Sequence, residues 1–107
     1  MITLKEYNEV KGKKVVFTED GFDKGVAYII MWKREGCNKL VASIQDVMVK
    51  EEFRGSGIGS ELIKRIITYC KSNIKIYKII LECSNENIDF YKKFGFRLHE
   101  NHMRLDV

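Results

Sequence analysis

The stretch Phe53-Arg54-Gly55-Ser56-Gly57-Ile58-Gly59-Ser60 stands between a strand-like segment and an amphipathic helix, and it decides the fold. Glycine at every second position lets the backbone curl tightly and leaves its N–H groups uncovered by side chains. The following helix adds its own unpaired N–H groups and the positive end of its dipole. Arg54 adds a charge that does not titrate. Such a loop is suited to a diphosphate held mainly by backbone. No Lys-Ser or Lys-Thr follows the last glycine, which disfavours a P-loop, and the third glycine comes one residue early for a dinucleotide-binding fingerprint. The bland reading is a glycine-rich turn without a ligand.

Working outward, the helix after the loop is the clearest element. Leu62, Ile63, Ile66, Ile67 and Cys70 form one apolar stripe at the 3.6-residue period. Lys64, Arg65, Thr68 and Lys71 take the other side, and Asn73 is a plausible terminator. Upstream, residues 14–18, 26–32 and 40–49 read as strands, with turns at 19–23 and 33–36. In the last of these strands, alternation sets Ile44, Asp46 and Met48 on one side and Gln45, Val47 and Val49 on the other. Downstream, residues 77–83 read as a strand with a nearly continuous apolar centre, a pattern that suits burial on both faces. Ser84 or Asn85 would cap a short helix over 86–93, and Gly95 follows where a helix stop favours glycine. Residues 96–98 and 102–105 would form a final pair of strands. The predicted architecture is a single α/β (α+β) domain over 1–107, with a mixed sheet flanked by helices and a crossover over 40–83. The glycine loop then sits at the carboxyl end of its strand, where such sheets bind ligands.

Composition sets the outer bounds. The chain has 107 residues, 45% of them apolar, six of them Phe, and it contains no Pro. It is of a size for one packed core. The apolar stretches near 26–32 and 76–83 are too short to cross a bilayer, and no basic-then-apolar leader is visible at the start. Cys37, Cys70 and Cys83 are odd in number and lack metal-site spacing, so they read as reduced thiols, implying a cytoplasmic setting and no metal. Cys83 itself reads as a buried strand thiol. The net charge of +4, from 19 basic and 15 acidic residues, is spread along the chain. Mild clusters at Lys11-Lys13-Lys14 and Lys92-Lys93 do not form the stripe that a nucleic-acid binder needs.

Three segments together resemble the GNAT N-acetyltransferase superfamily. They are the strand Ile44-Gln45-Asp46-Val47-Met48-Val49, the R-G-x-G-x-G loop of Arg54 to Ser60 with its helix, and the run Asn85-Glu86-Asn87-Ile88-Asp89-Phe90-Tyr91-Lys92-Lys93-Phe94-Gly95-Phe96, similar to the N-x-x-x-x-Phe-Tyr-x-x-x-Gly-Phe signature. Within the superfamily, Asp46 and the run from Leu81 to Asn87 look most like glucosamine-6-phosphate N-acetyltransferases, and the Ile-Gln-Asp form also looks like that of small bacterial GNAT proteins of unassigned substrate. Gln45 stands where the former carry Glu. The resemblance implies a shortened N-terminal helical region, at most residues 6–12, in place of two helices that usually wall the acceptor site. Either a homodimer would supply the missing wall or the acceptor site would be open.

The resemblance also implies roles. Acetyl-CoA would be the co-substrate, its pyrophosphate on Arg54, Gly55, Ser56, Gly57, Ile58, Gly59 and Ser60. Its pantetheine arm would pair with the backbone of Val47, Met48 and Val49, a backbone N–H there polarising the thioester carbonyl, and Asn87 would hydrogen-bond the same arm. Tyr91, with a phenol's reference pKa of ~10, would protonate the leaving thiolate. Asp46 is a candidate base, directly or through water, and Gln45, Asp46 and Glu82 would touch the acceptor, a small primary amine with an amino-sugar phosphate as the first candidate. His99 and His102 have the right pKa range but read as turn or surface histidines. The competing readings are a core tyrosine at Tyr91, a helix cap at Asn87 and a salt bridge at Glu82. For the whole chain, the alternatives are an acyl-CoA-binding sensor or subunit and, more remotely, a small basic RNA-associated domain.

Overall fold

The structure is a computed structural model that describes residues 1–9, 12–33, 36 and 38–98. Five strands form one sheet in sequence order: β1 (Ile2–Glu9), β2 (Gly12–Glu19), β3 (Gly25–Lys33), β4 (Leu40–Val49) and β5 (Ile76–Leu81). The first four make an antiparallel meander; β5 returns parallel to β4 after the crossover helix α1 (Ile58–Lys71). Short 3₁₀ turns at Glu51–Phe53 and Asn85–Asn87 precede α1 and a second, short helix, α2 (Ile88–Lys92). The mixed sheet with flanking helices is the architecture the sequence predicts. No helix among the described residues is long and apolar enough to cross a membrane.

The apolar stripe of α1 closes the core. Leu62, Ile63, Ile66 and Cys70 pack on Val15, Phe17, Ala27, Ile29, Met31, Ala42 and Ile44, all fully or nearly fully buried. Burying one such aliphatic side chain contributes about 1.5–3 kcal/mol. Desolvation pushes the Cys70 thiol up to about 11, so it behaves as a small hydrophobe. At the far end of α1, the Tyr69 ring meets Phe17 edge-on at 5.7 Å, and its hydroxyl donates to Glu6 Oε1 at 2.7 Å. Lys13 reaches the other Glu6 oxygen at 2.8 Å. These two donors, Lys13 first, hold the Glu6 carboxyl below its ordinary range.

Several expectations are corrected. The N-terminal segment is not helical: Ile2–Glu9 is an edge strand, with Ile2 and Leu4 against the core. Glu6 shares their face, and its two donors explain why a carboxylate is tolerated there. β5 is not covered on both faces, since Tyr77 is 40% and Ile80 39% exposed, and among the described residues it pairs with β4 only. The ladder ends at Leu81, so Cys83 lies beyond it and is exposed rather than buried. The short helix begins at Ile88, behind a 3₁₀ turn, instead of at Glu86. Residues 96–98 are not a strand, and the partner expected at 102–105, with His99 and His102, lies outside the described residues, as does Cys37.

Strand β4 also breaks its expected alternation. Ile29 pairs with Ile44 and Tyr28 with Asp46, so Gln45 is one residue too many and forms a β-bulge. Ile44 is therefore buried while Gln45 and Asp46, in succession, are exposed. Ile66 has no exposed surface. Ile66→Ala is expected to destabilise the domain by about 2–5 kcal/mol through the cavity it leaves, measured by urea denaturation.

Candidate active site

The loop after β4 owes its shape to three local facts. Arg54 Nε donates to the Val49 carbonyl at 3.1 Å, folding the loop back over the strand end. Ser56 Oγ donates to the Phe53 carbonyl. Gly55 and Gly57 adopt φ of 84° and 87°, a left-handed conformation in which any side chain is strained. Gly57 is the N-cap of α1, and Glu61 N–H is the donor to its carbonyl, at 3.0 Å. The N–H groups of Ile58, Gly59 and Ser60 therefore have no acceptor within the helix. Arg54 is exposed and forms no ion pair among the described residues.

These residues line a groove of about 260 Å³. Its walls are Val49, Phe53, Arg54, Gly55, Gly57, Ile58, Gly59 and Ser60 on one side and Phe90 of α2 on the other. A Cβ on Gly59 would lie 3.7 Å from Val49 and 3.9 Å from Phe90, so the missing side chain is part of the open space. Donor backbone, one free guanidinium and an apolar wall fit a phosphorylated ligand with an organic arm. A larger hollow of about 410 Å³, between the start of β1 and the outer flank of α1, holds none of the motif residues.

Beside the groove, β4 parts from β5. Their ladder ends at the pair Ile44–Leu81. From Gln45 to Val49, β4 pairs among the described residues with β3 only, leaving its other edge to accept an extended amide-bearing chain. Val47 and Met48 lie on this stretch, Met48 57% exposed. Asp46 and Cys83 are each two residues past the last pair, at the carboxyl ends of adjacent parallel strands. Tyr91 comes beside Cys83 from α2. Its ring packs edge-on between Phe90 at 5.1 Å and Phe96 at 5.9 Å. Burial first, and the neighbouring Cys83 thiol second, push its hydroxyl above the ordinary phenol range, so it is a proton carrier at neutral pH.

The remaining predicted residues are placed less centrally. Gln45 is exposed, and its amide nitrogen donates to Ser43 Oγ at 2.8 Å. Asn87 Nδ2 donates to Ser84 Oγ at 3.2 Å, a local bracing of the turn before α2. Glu82 is exposed immediately after β5. Sequence reasoning missed Phe53 and Phe90 as groove walls. Phe90 stands beside Tyr91 in the third motif, and its spacing from Gly95 was the available signal.

The comparisons agree with this geometry. A family model described as an acetyltransferase (GNAT) domain matches residues 11–98. A Trypanosoma brucei brucei protein named glucosamine 6-phosphate N-acetyltransferase is 42% identical over 69 residues, covering 64% of this chain and 46% of that protein. An uncharacterized N-acetyltransferase of Methanocaldococcus jannaschii is 35% identical over 94 residues, 86% of this chain and 38% of its own length. The chain thus spans less than half the length of these relatives. Among solved structures, a Trypanosoma brucei acetyltransferase superposes with a TM-score of 0.72 at 34% identity, over 89% of this chain and 68% of that one. An integron cassette protein from the mobile metagenome of V. cholerae shares the fold alone, with a TM-score of 0.74 at 14% identity over 99% of this chain and 91% of that one. With the family model spanning most of the sequence, this chain belongs to the GNAT acetyltransferase family.

Proposed function

We propose that the protein is an acetyl-CoA-dependent N-acetyltransferase that moves an acetyl group directly to the primary amine of a small molecule. The observation that carries this reading is the groove beside the parting of β4 and β5, lined by the glycine loop with its unpaired backbone donors and by Phe90, the residue next to Tyr91. The relatives named glucosamine 6-phosphate N-acetyltransferase make an amino-sugar phosphate the first acceptor to try. A cytoplasmic setting and a homodimer belong to the same proposal.

The residues divide the work. The N–H groups of Ile58, Gly59 and Ser60, with Arg54, would hold the pyrophosphate. The free edge over 45–49 would hold the pantetheine arm, and Val49 and Phe90 would exclude water beside it. Bound acetyl-CoA supplies an activated thioester. Tyr91 Oη keeps its proton at neutral pH and would release it to a basic sulfur. The Asp46 carboxylate, exposed beyond the bulge, would attract an ammonium and accept its proton directly or through water. Gln45 presents an amide where a second carboxylate would add charge, so amine recognition falls chiefly to Asp46.

A second reading is an acyl-CoA-binding sensor without turnover. It draws support from Gln45, which sets an exposed amide beside Asp46 in place of a second carboxylate. Thiol release from acetyl-CoA in the presence of glucosamine 6-phosphate, polyamines or aminoglycosides separates the readings: release favours the enzyme, and binding without release favours the sensor.

Two substitutions probe the parts. Tyr91→Phe should lower kcat about a hundredfold with coenzyme A affinity within twofold of the parent, measured by steady-state kinetics and calorimetry. Gly59→Leu should fill the groove and weaken coenzyme A at least about tenfold, or ~1.4 kcal/mol, while thermal stability holds because leucine suits a helix better than glycine.

A further inference from the structure

The bulge at Gln45 does more than bend β4. In an unbroken register Ala27 would oppose Asp46, and the carboxylate would point into the α1 face at the end of the Phe17–Ala27 row. The extra residue turns Asp46 onto the opposite face instead, directly across from Tyr28. There the Tyr28 phenol and the Asp46 carboxylate are cross-strand partners on one face, close enough for the carboxylate to hold the phenol's proton. The ring is gripped at its flank as well, with Lys14 Nζ 4.4 Å from its centroid. Lys5, opposite Val16, and Lys78, opposite Val41, are further cations of this face. Tyr28 is thus held by a cation on one side and ends on the carboxylate. A single hydroxyl donor leaves the carboxylate with lone pairs to spare for an ammonium.

We propose that Tyr28 is the positioning residue of the acceptor site, fixing the Asp46 carboxylate so that the amine is received on the sheet face opposite α1. This rests on the acetyl-transfer reading above. Tyr28 has two side-chain torsions, so a ring pinned at flank and tip holds its partner in one orientation at little entropic cost. Removing the hydroxyl frees Asp46 to rotate without altering the groove, because neither Tyr28 nor Asp46 lines it.

The coupling is read first by titrating the protein labelled with ¹³C at tyrosine Cζ. The Tyr28 phenol is held above its ordinary value, chiefly by the bond to Asp46 and then by burial. In Asp46→Asn its midpoint should fall toward the ordinary phenol value, since the negative charge that opposes phenolate formation is gone; an unchanged midpoint overturns the proposal. The role is read by kinetics of Tyr28→Phe with the amine found above. We expect KM for the amine to rise about tenfold, as for loss of a charged hydrogen bond, with a lower kcat and coenzyme A affinity unchanged. Tyr7→Phe, on the same face but away from Asp46, is the control. A loss shared equally by coenzyme A binding, or matched by Tyr7→Phe, marks a merely structural tyrosine and overturns the proposal. The titration needs neither acetyl-CoA nor turnover. A coupled pair in a protein that binds no coenzyme A overturns the transfer reading alone; an uncoupled pair in an active enzyme overturns the positioning role alone.

Discussion

The site depends on where two parallel strands stop bonding. β4 and β5 share a ladder only as far as Ile44–Leu81, and the bulge at Gln45 makes continuing it impossible in the same register. Beyond that pair, residues 45–49 present an unpaired backbone edge about 16 Å long, at ~3.3 Å per residue. Unpaired amides beside apolar walls are costly unless water or a ligand meets them. The edge, the groove between Val49 and Phe90, and the free N–H groups at the start of α1 lie in sequence around this parting. An extended amide chain ending in a diphosphate satisfies all three at once.

The two faces of the sheet have different duties. α1 seals one face with a continuous aliphatic layer, and this supplies the rigidity on which the loop is mounted. The other face carries Val16, Val26, Tyr28, Ile30 and Trp32 in a half-buried layer of their own. A single inserted residue decides which face Asp46 joins. The bulge therefore converts a core position into a reactive one without any change of residue type.

Much of this was legible in the sequence because its determinants are local. The stripe of Leu62, Ile63, Ile66 and Cys70 fixes a helix by its own period, and Gly55 and Gly57 announce left-handed backbone. What could not be read is set by pairing between distant residues. Nothing in Ile-Gln-Asp marks a bulge, so Asp46 and Ile44 looked like members of one face. Glu6 disguised β1, because the pattern cannot show that Tyr69 and Lys13 await it on the inward side. Cys83 followed an apolar run that reads as interior, although the ladder had ended two residues earlier. Tyr28 carried no motif at all; only the register brings it to Asp46.

Among the described residues β5 lies at the sheet's edge, and this has a consequence for motion. The β1–β4 meander is a chain of antiparallel neighbours closed over by α1, whereas among the described residues β5 joins it through one short parallel ladder and the packing of Ile76, Ile79 and Leu81, and α2 through the aromatic cluster of Phe90, Tyr91, Phe94 and Phe96. Stability of this kind divides a domain into units that open at different free energies. Amide hydrogens of β5 and α2 should exchange with solvent through a cheaper opening than those of β2 and β3. The groove has Val49 and the glycine loop on the sturdier unit and Phe90 on the looser one. A molecule bound between them acts as a splint, tying its own affinity to the docking of the segment that carries Tyr91.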